Sequence, residues 1–135
     1  MIDLNTFIAN NIKPGTKPDF SALIAQYRQL TYQNEMAEIV GKVSETTGIT
    51  ADEMKVKTRK RTVVESRQLA MKMLKKHTRF SLAAIGEYFE CHGHVFDHAT
   101  VLHSCKTVDD LIDTDKYYKM RYDFIDNEIK KIREQ

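Results

Sequence analysis

Four consecutive residues, Asp97-His98-Ala99-Thr100, place a carboxylate, an imidazole and small methyl-bearing side chains within one helical turn. These groups suit the edges of base pairs in duplex DNA. A carboxylate accepts from cytosine N4, an imidazole bonds a base edge, and a methyl packs against the thymine methyl. Asp97 is also a favourable helix N-cap, and the amides and dipole of a helix starting there favour a nearby phosphate. Capping alone would account for Asp97 and Thr100, and it is compatible with base contact. His103 and Lys106 follow one and two turns beyond Ala99. They lie opposite an apolar stripe of Val101, Cys105, Val108 and Ile112, so one face of this helix is free to meet a partner.

The charge distribution points to a polyanion independently. The 135 residues carry a net charge of +2. Between Lys55 and Phe80, however, ten basic residues meet a single acid, Glu65, which makes that window +9 and the remainder −7. Acids within helical reach are nearly absent, so the window is not an ordinary salt-bridged solvent face. Gln68, Lys72, Lys75, Lys76 and Arg79 form one polar stripe suited to lie along a phosphate backbone, and the run Arg59-Lys60-Arg61 precedes it.

Helices must position these groups. Five Gly and two Pro in the whole chain leave little turn chemistry for an all-β fold. Residues 1–18, with Pro14 and Pro18, read as an arm or linker. From Asp19 to about Gly48, Phe20, Leu23, Ile24, Tyr27, Leu30, Met36, Ile39, Val40 and Val43 recur at helical spacing in one long helix or two. Thr50 with Glu53 predicts a capping box for a short helix. Thr62 with Glu65 predicts another, opening a helix to about His77 with Val63, Ala70 and Leu74 inward. Ser81 caps a short helix burying Leu82, Ile85 and Phe89, and Asp97 caps the next. A last helix from about Thr114 buries Tyr118, Tyr122, Ile125, Ile129 and Ile132. Gly86 inside a short helix costs about 1 kcal/mol relative to Ala, which predicts a neighbouring helix passing close by. The expected architecture is an all-α bundle.

Three blocks in order carry a resemblance: Ser66-Arg67-Gln68-Leu69-Ala70-Met71, Ser81-Leu82-Ala83-Ala84-Ile85-Gly86, and Asp97-His98-Ala99-Thr100-Val101-Leu102-His103-Ser104. Over residues 34–132 the chain resembles the C-terminal helix-turn-helix domain of the bacterial replication initiator DnaA. The resemblance implies a Trp-repressor-like helix-turn-helix bundle over residues 34–135, with residues 1–33 as an N-terminal arm and helical extension. It implies sequence-specific binding of double-stranded DNA, in replication origin binding or the regulation of DNA replication. The implied DNA-binding residues are Arg59, Lys60, Arg61, Arg67, Gln68, Lys72, Lys75, Asp97, His98, Ala99, Thr100 and His103. Among these, Arg67, Gln68, Lys75 and Thr100 correspond to phosphate-contacting positions. Arg59 corresponds to an arginine that enters the minor groove, a place that either adjacent basic residue could also take. The chain departs from the family where Glu90-Cys91-His92-Gly93-His94-Val95-Phe96 replaces a shorter Gly-Gly-Arg turn, and where Ala99 stands for a Thr; both changes bear on the target sequence.

No Walker-type phosphate loop occurs, so the ATPase module of the full initiator is not expected in these residues, and neither a cofactor nor an enzymatic activity is expected. That leaves a stand-alone protein, as from a phage or mobile element, or an excised piece of a longer one. Two rival readings remain. Cys91, His92, His94, His98, His103 and Cys105 supply six metal-capable side chains, and a zinc-stabilised domain could close the Cys91/His94 loop. Alternatively the chain is a helical protein-interaction module, with Phe20, Leu23, Ile24 and Tyr27 forming a homodimer or meeting a replication or mobile-element protein. No apolar run approaches a membrane span and no secretory leader opens the sequence, so no membrane partner, reduced thiols and a cytoplasmic location are expected.

Overall fold

The computed structural model describes residues 2–134. It is all-α, with helices α1 (Leu4–Asn11), α2 (Phe20–Thr47), α3 (Ala51–Lys55), α4 (Arg61–His77), α5 (Leu82–Tyr88), α6 (His98–Thr114) and α7 (Lys116–Arg133). Among the described residues no helix is long and apolar enough to cross a membrane. Contacts divide the chain into two compact units, Met1–Glu35 and Met36–Gln135.

The first unit corrects the expectation of an irregular arm over residues 1–18. Asp3 caps α1 by accepting from the Thr6 amide at 2.7 Å, and Phe7 is buried with its ring 5.5 Å from that of Tyr27. A cap and one aromatic anchor stabilise two turns of helix that the prolines further on obscured. α2 is one continuous helix. It buries Leu23 but leaves Phe20 and Leu30 mostly exposed.

The second unit contains the core. Ile39, Val40 and Val43 of α2 meet Met54 of α3 and Leu69, Met71, Met73 and Leu74 of α4. Ile85, Phe89, Val101, Val108, Ile125 and Ile129 belong to the same cluster. All are almost fully removed from solvent, each large side chain contributing roughly 1.5–3 kcal/mol. Ile112 and Ile132, expected to be inward, are only half-buried.

Local capping explains most helix starts. Thr50 and Glu53 form the expected box, Ser81 accepts from the Ala84 amide, and Asp115 caps α7. The Thr62–Glu65 box does not form. α4 opens two residues earlier, at Arg61, with Lys60 as an N-cap that makes no side-chain bond. Thr62 is then already helical, its carbonyl accepting from Ser66 Oγ at 2.8 Å, while Glu65 accepts from Arg61 Nε at 2.8 Å.

Candidate nucleic-acid interface

α6 packs most extensively on α4 and next on α5, so the helix with the base-matching residues rests on two others. Its apolar stripe, Val101, Cys105 and Val108, is buried, while His98, Ala99, Thr100, His103 and Lys106 are exposed. Asp97 Oδ1 accepts from the Thr100 amide at 2.7 Å, and that backbone bond is the main reason its carboxyl sits below the usual range. The start of α6 therefore presents a carboxylate, an imidazole and two small side chains to solvent on a fixed backbone.

Phe96, immediately before that cap, is where the chain is clamped. The Phe96 carbonyl would lie 1.8 Å from a Cβ at Gly86, so only glycine permits α5 to meet this segment. The close approach expected at Gly86 is thus made by the backbone leading into α6, with Val101 of α6 itself farther off at 3.4 Å. The Arg67 guanidinium stacks on one side of the Phe96 ring, 4.6 Å from its centroid, and the His94 ring meets it edge-on at 4.9 Å.

Arg67, expected at a phosphate, is only 8% exposed. Its Nη1 donates to the carbonyls of Met54 and Val56, each at 3.1 Å, and burial lowers its pKa. Charge-assisted bonds of this kind are strong. They fasten the root of the basic segment 56–60 beside the segment that enters α6. A helical signal for this was present: Val63, Arg67, Ala70 and Leu74 share one face of α4, so Arg67 falls on the apolar stripe.

Ion pairing divides the basic window. Lys72, expected along the phosphate backbone, pairs with Asp109 of α6 at 2.8 Å. Arg61 pairs with Glu65, and Lys76 pairs with Asp126 of α7 at 3.0 Å. Lys55 lies over the Tyr88 ring. Among the described residues, Lys57, Arg59, Lys60, Lys75 and Arg79 have no carboxylate partner. Arg59, Lys60 and Lys75 are exposed and Gln68 is half-buried. Arg79, expected on the phosphate-facing stripe, is exposed, and so is Lys57, a cation outside the expected set; excess charge flagged the window but could not rank its members.

The inserted turn is a small hairpin. Cys91 and His94 exchange backbone hydrogen bonds of 3.0 and 2.9 Å, with His92 (φ 50°) and Gly93 (φ 79°) at its tip. Glu90 accepts from the Gly93 amide at 2.8 Å. The loop is thus closed by backbone bonds. Cys105 is buried in α6, and among the described residues no three His, Cys, Asp or Glu side chains are grouped to hold a metal ion.

The family described as bacterial dnaA protein helix-turn-helix matches residues 36–108. The chromosomal replication initiator protein DnaA of Flavobacterium psychrophilum is 53% identical over 76 residues, covering 56% of this chain and 14% of that protein. The same-named protein of Bacteroides thetaiotaomicron is 42% identical over 81 residues, 60% of this chain and 16% of the relative. That of Porphyromonas gingivalis is 34% identical over 109 residues, 78% of this chain and 22% of the relative. The chain therefore spans less than a quarter of the length of these relatives.

Proposed function

Because the chain belongs to the bacterial DnaA helix-turn-helix family, we propose that it binds double-stranded DNA sequence-specifically, in replication initiation or its regulation. In this reading α6 enters the major groove by its amino end. His98, Asp97 and Ala99 meet base edges, and Thr100 and His103 flank them on the exposed face. Lys75 and Gln68 face the phosphates, and one of Arg59, Lys60 and Arg61 reaches the neighbouring minor groove, Arg59 being best placed because Arg61 is held by Glu65. Arg67 serves as the tie that keeps the two reading elements in register. This is a binding domain and not an enzyme.

The observation that carries the proposal is the juxtaposition at Phe96. The start of α6, with its exposed base-matching side chains, and the root of a basic segment without carboxylate partners are fastened to one buried guanidinium. Selection from a randomised duplex pool tests it. A recurrent sequence should emerge, and affinity should fall with salt at a log–log slope of about −0.9 per phosphate contacted. Absence of duplex binding at low salt would overturn the proposal.

A further inference from the structure

α7 carries none of the residues assigned to DNA, yet one of its faces is neither core nor ordinary solvent surface. Tyr117, Met120 and Phe124 are 82%, 60% and 57% exposed and recur at three and four residues, so they align as one apolar stripe. Exposed large side chains in a contiguous row mark interaction surfaces more often than scattered ones do. Tyr117 also edges a cavity of about 250 Å³ between the start of α4, the end of α6 and the start of α7.

The polar groups of that cavity are unequally satisfied. Arg61 is held by Glu65, and Asp115 Oδ1 accepts from the amides of Tyr117 and Tyr118. Arg121 has no carboxylate partner among the described residues; its guanidinium lies 5.6 Å from the Tyr118 ring. The Tyr118 hydroxyl is buried and makes no hydrogen bond among the described residues. An unsatisfied buried hydroxyl costs about 1–3 kcal/mol and calls for an explanation. A carboxylate entering here would accept from both Arg121 and, after a small adjustment, the Tyr118 hydroxyl.

We propose that this face of α7 docks an acidic amphipathic segment of a partner protein, its apolar side covering Tyr117, Met120 and Phe124 and one carboxylate entering the cavity beside Arg121 and Tyr118. Charge complementarity selects this occupant. Lys116 and Arg121 flank the stripe without acidic partners among the described residues, so a second copy placed symmetrically would bring like charges together. A lipid surface is disfavoured because the Lys119–Asp123 pair, 2.8 Å apart, lies beside the stripe and the recess next to it is concave.

Selection of random sixteen-residue displayed peptides against the full chain tests this. Enriched peptides should pair acids with apolar residues at helical spacing. Their binding should weaken at least tenfold in Arg121→Glu and Phe124→Ser, and several-fold in Tyr118→Phe, which keeps the ring and so preserves the fold. DNA affinity should be unchanged in Tyr118→Phe. Three results would each overturn the proposal: no enrichment, or enrichment indifferent to these substitutions; binding to phosphatidylglycerol vesicles that Phe124→Ser abolishes; or a sedimenting dimer that Phe124→Ser dissolves.

Discussion

Replacing Gly86 with alanine should damage this protein although the same change helps most helices. In a helix interior Gly→Ala gains up to about 1 kcal/mol from reduced backbone entropy. At Gly86 the new Cβ would stand 1.8 Å from the Phe96 carbonyl oxygen, 2.9 Å from its carbon and 3.4 Å from Val101 Cγ2. To reach van der Waals contact the carbonyl must retreat by roughly 1.5 Å, and it belongs to the backbone, not to a flexible side chain. Nor is Phe96 free to move, since Arg67 and His94 hold its ring and the next residue caps α6. Overpacking of this kind costs about 1–3 kcal/mol, and more where backbone must shift, so the net change should be a loss of roughly 1–2 kcal/mol. Gly41 supplies the control: it lies inside α2 with nothing within 4 Å of where an added methyl would stand, and Gly41→Ala should stabilise by about 0.5–1 kcal/mol. Urea denaturation followed by far-ultraviolet circular dichroism measures both. Since the shift displaces the start of α6, Gly86→Ala should also lose more affinity for the selected duplex than for random sequence. If Gly86→Ala is as stable as Gly41→Ala, the clamp at Phe96 is misdescribed.

Other consequences follow from the pairing pattern. Lys75→Ala should reduce the salt slope of DNA binding by about one unit, whereas Lys72→Ala should leave it nearly unchanged because Asp109 already holds that charge; equal slopes would refute the division. Arg67→Met keeps the side chain's length but abandons two carbonyls, so urea midpoints should report a loss of about 2–3 kcal/mol. Asp126 is buried between α4 and α7 and accepts from His77 at 2.7 Å, Lys76 at 3.0 Å and Lys130 at 3.2 Å. Burial alone would raise its pKa, but these three donors outweigh that and lower it, while burial lowers that of His77 despite the carboxylate. Both shifts give stability that is fully present at neutral pH and lost on acidification, from His77 as pH falls below its unfolded value of about 6.5 and from Asp126 as pH falls below about 3.8. Asp126→Asn should lower the thermal midpoint at neutral pH and flatten the decline below about pH 4; an unaltered decline there would assign it to other carboxylates.

Much of the fold was legible because period and caps are local properties. Asp97, Ser81 and Thr50 announce their helices in the residue types themselves, and the stripes Val101–Cys105–Val108 and Tyr118–Tyr122–Ile125–Ile129 bury as spaced. What was obscure depends on residues far apart in sequence. Nothing near Lys72 reveals that Asp109 will neutralise it, and nothing near Arg67 names Met54, Val56 and Phe96 as its partners. Gly86 signalled a close approach without saying that a carbonyl made it. The base-matching quartet at 97–100 was readable as chemistry, and its exposure followed from helical phase; the tie to the basic segment did not.

The central claim is that the amino end of α6 reads bases while α4 only positions the duplex. Equilibrium binding of wild type, His98→Ala and Lys75→Ala to the selected duplex and to a random duplex, at one salt concentration and on variants shown to be folded, tests it most directly. A good base contact is worth roughly 1–3 kcal/mol of discrimination, about five- to more than a hundredfold, so His98→Ala should lose affinity for the selected site and keep that for random sequence. Lys75→Ala should lower both in the same proportion. If His98→Ala instead depresses selected and random binding equally, α6 does not read this DNA.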